Sequence, residues 1–379
     1  MLKITFPHMG NFWIPLKSFW TELGVDPVVP PFTSQQTIAL GTKIAPEFAC
    51  LPLKINLGNY LEAIHAGAEC VFMAGGAGPC RFGYYGETQW EILKENGYEV
   101  DFVVFEAPNH APRKLWDKIK RYLPRRSPWD LTRALRIFWS KARALDNFDR
   151  AINRIRPLEA TSGFCNRLQD DFYGRIDQAA SIAGVGSVYR EALRKLEEAP
   201  RRIREEIPKV VLMGEIFMVL EPRVNFQMER TLGSMGIEVE RTIYISDWIA
   251  ENFFQNYLEP RHRQGLRQLA GPYLRNPVGG HGLESVAHLV DAGVNRSQGV
   301  IHLAPFTCMP EIVATQTFPT ITNELKIPVL SIIIDEHSAA AGIETRLEAF
   351  LDLLKFRHRP RREPEMLSEE RTEELVLEI

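Results

Sequence analysis

The sequence lacks a long apolar run, a leader-like start and an excess of one charge. No apolar stretch approaches the roughly 20 residues that a membrane-spanning helix needs. The first residues are typical of a strand and lack the apolar region of a signal peptide. A formal net charge of −3 gives no reason to expect nucleic acid as a partner. We therefore expect a cytoplasmic protein that binds neither nucleic acid nor a membrane.

The sequence also lacks the motifs by which many proteins bind nucleotides. It contains no Walker loop. The glycine-rich stretch at 75–78 does not have the G-x-G-x-x-G spacing of a dinucleotide site, and Pro79 and Cys80 occupy the place where the helix would begin. We interpret these glycines as room for a bound group to approach the backbone.

Cysteine is scarce, with five residues in a chain of 379, yet three of the five share one setting. Cys50, Cys80 and Cys308 each stand at the predicted start of a helix, and Cys80 and Cys308 also follow predicted strands. A helix N-terminus has unpaired N–H groups and partial positive charge, which lowers the pKa of a thiol and suits an anionic ligand cluster. In a cytoplasmic chain, cysteines are more often core thiols or metal ligands than disulfides. The three thiols are therefore either metal ligands or unrelated buried side chains.

Two stretches of the chain alternate strands with helices, which predicts an α/β fold of two doubly wound parallel-sheet domains. The predicted N-terminal α/β domain covers 1–109 and the C-terminal one covers 208–356. The predicted strands are 2–8, 27–29, 70–73 and 99–106 in the first domain, and 209–213, 237–245, 300–303 and 328–334 in the second. Such folds bind ligands beyond the carboxyl ends of their strands, where Cys80 stands.

A helical insert is predicted between the two domains, over 110–207, and a charged tail over 357–379. Helical stretches are expected at 113–123, 129–156 and 170–198, the last broken near Gly184 and Gly186. The first stretch carries a basic patch, which is either a solvated helix face or a docking surface for an acidic partner or cofactor phosphates. Its members are Arg113, Lys114, Lys118, Lys120, Arg121, Arg125 and Arg126.

The other two cysteines have different surroundings. Cys70 begins a buried strand and is interpreted as a core residue. Cys165 precedes a polar helical segment, so it is either a core thiol, a fourth ligand or a redox accessory.

Polar residues at the ends of predicted strands and turns are candidate catalytic groups. Glu215 and Glu336 end strands and are candidates for proton transfer, or simply cap helices. His281 lies in a glycine turn and His337 follows the last strand; each either donates a hydrogen bond to a bound group or satisfies local backbone. Two further histidines, His65 and His302, lie within a helix and a strand and are interpreted as structural.

With the cysteines in place, the chain resembles the 2-hydroxyacyl-CoA dehydratase superfamily, above all its acyl-CoA dehydratase activase-related branch, and it is also similar to double-cubane cluster proteins. The resemblance covers residues 2 to about 356, least clearly 110–205. The stretches that carry it are Ala49-Cys50-Leu51-Pro52-Leu53-Lys54, Pro79-Cys80, Val210-Val211-Leu212-Met213-Gly214-Glu215, Pro305-Phe306-Thr307-Cys308-Met309-Pro310, Asp335-Glu336-His337 and Thr345-Arg346-Leu347-Glu348-Ala349-Phe350.

The resemblance implies one [4Fe–4S] cluster between the two domains, held by Cys50, Cys80 and Cys308. Thiolates are the natural ligands of iron–sulfur clusters, whereas structural zinc usually takes four ligands in closely spaced pairs. The resemblance also implies an ATP-dependent activase as electron donor. The activase must be a separate protein, because this chain has no Walker loop. Dehydratases of the family are built from two homologous subunits, so a homologous subunit or a homodimer is expected.

The residues and the resemblance together leave three functions open. The first is a dehydratase-type lyase or iron–sulfur reductase subunit that acts on an acyl-CoA or another small molecule. The second is an electron-relay or accessory subunit that carries the cluster without a substrate. The third is a plain α/β ligand-binding protein without metal. The sequence does not distinguish a single from a double cubane.

Overall fold

The structure, a computed structural model, describes residues 1–75, 80–105, 127–204, 206–251 and 261–358. Contacts divide the chain into two units, Met1–Ala339 and Ala340–Ile379. The first unit holds both sheets and the helices around them, and the described part of the second is a single helix. The basic patch at 113–126 and the predicted tail lie outside the described residues, apart from 357–358.

The first sheet has four parallel strands in the order β2-β1-β3-β4. Its strands are β1 (Lys3–Thr5), β2 (Asp26–Pro27), β3 (Cys70–Ala74) and β4 (Asp101–Phe105). Its helices are α1 (Trp13–Glu22), α2 (Gln35–Ile44), α3 (Leu51–His65) and α4 (Tyr85–Glu95). The chain crosses from β1 to β2 on one side and to β3 on the other, so a switch point lies between β1 and β3.

The second sheet repeats this arrangement in the order β6-β5-β7-β8, again all parallel. Its strands are β5 (Lys209–Gly214), β6 (Glu238–Arg241), β7 (Gly299–Pro305) and β8 (Val329–Ile334). Every residue of β7 is buried, as expected for a central strand covered on both faces. The prediction of two parallel-sheet α/β domains is thus confirmed.

Helices of the remaining chain fall into three groups. In chain order, three helices follow the first sheet and precede the second: α5 (Pro128–Ile155), α6 (Phe164–Gln178) and α7 (Ile182–Glu197). Around the second sheet lie α8 (Ile216–Leu220), α9 (Met228–Ser234), α10 (Ile245–Ile249), α11 (Arg261–Ala270), α12 (Gly282–Val294), α13 (Met309–Thr315) and α14 (Phe318–Leu325). The second unit contributes α15 (Ala340–His358). Among the described helices, none combines the length and the apolar character needed to cross a membrane.

Two details of the helices differ from the sequence-based expectation. The break in the insert falls between α6 and α7, where Ser181 caps α7 through the backbone N–H of Gly184, so both glycines thought to break the pair lie inside a helix. The sequence also predicts a helix over Arg223–Gly236, but the helix begins only at Met228, because Phe226 and Gln227 adopt left-handed backbone with φ of 56° and 54°.

Glycines allow α2 and α3 to cross in backbone contact. A Cβ at Gly41 would lie 1.7 Å from the carbonyl oxygen of Lys54, and a Cβ at Gly58 would lie 2.0 Å from that of Thr37. No side chain fits at either position without moving the helices apart. This close crossing fixes α3, whose N-terminus carries Cys50.

Polar contacts join the parts of the first unit. Glu221, just after α8, accepts a hydrogen bond from the backbone N–H of Gly10 at 2.8 Å. In the insert, Asp149 of α5 pairs with Arg241 of β6 at 3.2 Å, with both side chains buried. Since these bonds connect segments far apart in sequence, they hold the first sheet, the insert and the second sheet together.

Candidate functional site

The Cys50 corner is built by the start of α3. Cys50 is the N-cap residue with extended backbone, and Pro52 lies in the first turn. Its thiol does not cap the helix but forms a hydrogen bond with the hydroxyl of Tyr85. Burial raises the pKa of the Cys50 thiol to about 11. The expectation of a lowered pKa at this helix start is therefore wrong, because loss of hydration outweighs the hydrogen bond from Tyr85 and the charge of Arg81, which both lower the pKa.

The Cys308 corner has the same design on the second sheet. Cys308 is the N-cap of α13, three residues after β7 ends at Pro305, and its thiol makes no capping bond. The preceding residue, Thr307, has a φ of +66°, a left-handed conformation that is uncommon for a β-branched residue. Burial raises the pKa of this thiol above its usual value, and the negative charges of Glu215 and Glu311 add to the effect.

The Cys80 corner follows β3. The residues at 76–79, including Pro79, lie outside the described part of the chain. Cys80 directly precedes a 3₁₀ helix, Arg81–Tyr84, rather than the α-helix that the sequence predicts at this point; α4 begins at Tyr85. A turn of the second half lies near this thiol, since a Cβ added at Gly280 would lie 3.8 Å from Cys80 Sγ.

Hydrogen bonds connect the three corners. The guanidinium of Arg81, next to Cys80, donates to the carbonyl oxygen of Phe48 at 3.2 Å and to that of Thr307 at 2.6 Å. The hydroxyl of Thr307 donates to the same carbonyl of Phe48 at 3.3 Å. Phe48 lies two residues before Cys50 and Thr307 directly precedes Cys308. The structure therefore brings the backbones of the three corners together, although they are distant in sequence.

Glu215 lies at the carboxyl end of β5 and is the predicted carboxylate most closely linked to the cysteines. Its side chain caps α8 by accepting from the backbone N–H of Met218 at 3.0 Å. Its charge also acts on the thiols of Cys50 and Cys308. Burial raises the pKa of Glu215 to about 7. Glu215 thus caps a helix, which is one of the two roles considered for it, and its part in proton transfer stays a prediction.

The other strand-end candidates have different environments. Glu336 forms an ion pair with the buried Lys54 of α3. Burial alone would raise the pKa of Glu336, but the hydrogen bond from Lys54 lowers it. His337 is exposed, and its backbone N–H donates to the carboxylate of Asp335 at 3.0 Å. His281 is the N-cap of α12 and directly follows Gly280, which lies near Cys80.

A buried pair lies behind the Cys308 corner. His302 of β7 contacts Glu311 of α13 at 2.8 Å through Nε2 and Ser331 of β8 at 3.2 Å through Nδ1. Both His302 and Glu311 are almost fully buried. The pair ties α13 to the second sheet, a role in keeping with the structural interpretation of His302.

Cys70 and Cys165, which are not among the three predicted ligands, lie in two separate hydrophobic cores. Cys70 is buried in the core formed around β1 and α1. Cys165 is fully buried among apolar side chains of α5, α6 and α7 in the insert, and its backbone N–H donates to Glu159 at 2.9 Å. Burial raises the pKa of each thiol to about 12. All five cysteines lie among the described residues, and none of them forms a disulfide.

Three cysteine thiols are the side chains that could hold a metal group at these corners. Among the described residues, no three His, Cys, Asp or Glu side chains are positioned to bind one metal ion. A [4Fe–4S] cluster makes a different demand, because each thiolate binds a different iron atom. Two further features bear on a group bound here: hydrogen bonds from the Arg81 side chain join the three corners, and a turn that contains Gly280 lies near Cys80.

Sequence reasoning missed three polar residues of this region: Lys54, Arg81 and Tyr85. Lys54 and Arg81 are close in sequence to Cys50 and Cys80, but their partners at Glu336 and Thr307 are distant, so no local pattern reveals the pairing. Tyr85 offered the one available signal, a polar aromatic residue in the first turn of a helix just after a candidate ligand.

Comparison with known proteins gives one family. The model of the 2-hydroxyglutaryl-CoA dehydratase D-component matches residues 22–354, which is most of the chain and includes all three cysteine corners. No curated protein matches the sequence.

Proposed function

Because the chain belongs to the 2-hydroxyglutaryl-CoA dehydratase D-component family, we propose that it is a dehydratase- or reductase-type subunit that holds a [4Fe–4S] cluster through Cys50, Cys80 and Cys308. The observation that carries the proposal is the set of hydrogen bonds joining the three cysteine corners. We assign the chain to the activase-related branch on its cysteine motifs. The substrate class is an acyl-CoA or another small molecule.

Each half of the protein contributes to such a site. Cys50 and Cys80 come from the first half and Cys308 from the second. When bound, the cluster would supply low-potential electrons and an iron atom open to a small ligand. Glu215 is our candidate for proton transfer, because it is half-buried at the end of a central strand and its charge reaches two of the thiols.

Electrons must come from another protein, and we propose that the ATP-dependent activase supplies them. Five large apolar or aromatic side chains near the cysteines are each more than half exposed, a pattern that supports a protein partner covering this surface. They are Phe48, Tyr84, Phe306, Met309 and Ile312. A homologous subunit or a second copy is the other partner that this surface could take. The cytoplasm stays our prediction for the location.

The test begins with anaerobically purified protein. We expect a brown sample with about four iron and four sulfide per chain, as a [4Fe–4S] cluster requires, and a paramagnetic signal after reduction with dithionite. A colourless sample without iron after anaerobic reconstitution would refute the proposal and favour a plain α/β binding protein.

The exposed apolar surface also favours the second function, a non-catalytic electron relay. Adding cyanide or an acyl-CoA to the reduced protein separates the two. A changed paramagnetic spectrum means that a small ligand reaches the iron, as an enzyme requires. A spectrum that no ligand changes supports the relay. Turnover should also require the activase and ATP, and sustained turnover with a ferredoxin alone would contradict that part of the proposal.

A further inference from the structure

Arg81 occupies an unusual place, since its side chain reaches two cysteine corners besides its own. One terminal nitrogen donates to the carbonyl of Phe48, and the other donates to the carbonyl and the hydroxyl of Thr307, the latter at 3.2 Å. The planar guanidinium has five N–H donors in a fixed geometry, which suits several acceptors at once. A lysine could carry the charge but could not reproduce this fork.

The bonds of Arg81 offset a local cost at Thr307. This residue has left-handed backbone, which a β-branched side chain adopts only at the expense of stability. Its carbonyl and its hydroxyl both accept from Arg81, and the hydroxyl also donates to Phe48. The conformation that sets the direction of the chain into Cys308 is thus held from the Cys80 and Cys50 corners.

The charge of Arg81 opposes that of two carboxylates near the cysteines. Glu215 and Glu311 both act on Cys308, and Arg81 is the cation that favours the ionised form of Cys50. A cluster held by three thiolates adds further negative charge. Since net charge and hydrogen bonding set the potential of an iron–sulfur cluster, a neighbouring cation favours the reduced form.

We propose that Arg81 is the positioning residue of the three-cysteine site: its bonds hold the Cys50 and Cys308 corners around Cys80, and its charge raises the reduction potential of the bound cluster. The part that concerns potential rests on the proposed function. The positioning part concerns the polypeptide alone and applies equally to the metal-free protein.

Two variants separate the bonds from the charge. Arg81→Lys keeps the charge but loses the fork, and Arg81→Gln loses both. Arg136→Gln is the matched control, because Arg136 is exposed on α5 and the chemical change is the same. In metal-free protein, we expect amide hydrogen exchange at 47–54 and 305–312 to become roughly tenfold faster in both Arg81 variants, as for loss of a bond from a charged donor. The control should not change.

In cluster-loaded protein, a redox titration monitored by paramagnetic resonance measures the reduction potential and so tests the effect of the Arg81 charge. We expect a potential close to that of the wild type in Arg81→Lys, a lower potential in Arg81→Gln, and faster loss of iron to a chelator in both. Wild-type exchange rates in Arg81→Gln would overturn the positioning role, and an unchanged potential would overturn the electrostatic one. A wild-type protein that never binds a cluster would refute the proposed function, whereas the exchange experiment would still decide the positioning role.

Discussion

Lys54 and Glu336 form an ion pair between the helix that begins at Cys50 and the carboxyl end of β8. The two partners are not equally buried: the side chain of Lys54 is 4% exposed and that of Glu336 is 17% exposed. Each therefore depends on the pair to a different degree, because a charge left without a partner costs more where water cannot reach it.

This difference predicts unequal effects on stability. Glu336→Ala leaves a buried ammonium group unpaired and should lower the free energy of unfolding by about 3 kcal/mol. Lys54→Met keeps the apolar stem and leaves a carboxylate that water can reach, so we expect a loss of about 1 kcal/mol. Urea unfolding measures both. Arg194→Ala, which breaks an exposed pair with Glu198, is the control and should change stability little. Equal losses in the two main variants would contradict this account.

The five cysteines should divide into two groups when replaced by serine. We expect Cys50→Ser, Cys80→Ser and Cys308→Ser to lose most of the iron. Cys70→Ser and Cys165→Ser should keep it at the expense of some stability, since both thiols lie in apolar cores. Iron and sulfide analysis of anaerobically prepared protein, with circular dichroism to check folding, provides the measurement. Similar iron loss in all five variants would show that the ligand assignment is wrong.

A change from glycine to alanine should have opposite effects on stability at the crossing of α2 and α3 and at an uncrowded position in α6. Gly58→Ala should destabilise the protein by about 3 kcal/mol, because the new methyl group would meet the backbone of Thr37. Gly174→Ala in α6 should stabilise it by about 0.5–1 kcal/mol, because no atom lies within 4 Å of the new group and alanine favours a helix. Chemical unfolding compares the two, and a tolerated Gly58→Ala would mean that the helices can separate.

Glu221 predicts a dependence of stability on pH. Burial raises the pKa of Glu221 to about 7, despite hydrogen bonds from the backbone N–H groups of Gly10 and Arg223. The folded state therefore binds this proton more tightly than the unfolded state, whose pKa is the ordinary 4.5. The contribution to stability is complete below pH 4.5 and is lost as the pH rises through 7, by up to about 3 kcal/mol.

Glu221→Gln isolates this contribution, because the other titrating groups are present in both proteins. The amide can still accept from Gly10 but does not ionise. We expect the free energies of unfolding of the variant and the wild type to diverge as the pH rises from 5 to 8, with the variant the more stable at pH 8. Parallel curves would show that Glu221 does not titrate in this range.

The sequence predicted the layers of the fold well, because buried parallel strands leave a strong local pattern. The apolar run that forms β7 and the helical spacing of α5 are of this kind. The sequence-based predictions of helix boundaries failed where the same local residues are compatible with more than one backbone conformation. Gly184 and Gly186 are accommodated inside α7, whereas Phe226 and Gln227 delay the start of α9 through a backbone conformation that neither residue favours.

For the site, the sequence identified the corners but not what joins them. Helix starts and strand ends are local features, so Cys50, Cys80 and Cys308 could be selected from their neighbours. The pairing of Arg81 with Thr307, and that of Lys54 with Glu336, depends on how the two halves meet. The pKa of Cys50 was also misjudged, because burial is a property of the whole fold.

The identical strand order of the two sheets has an evolutionary consequence. If one half arose by duplication of the other, β3 corresponds to β7, so Cys80 and Cys308 derive from the same ancestral position. The helices that lead into these strands also correspond, and their N-cap residues are Cys50 and His281. In this correspondence, the helix that leads into the central strand carries a thiol at its N-cap in one half and an imidazole in the other.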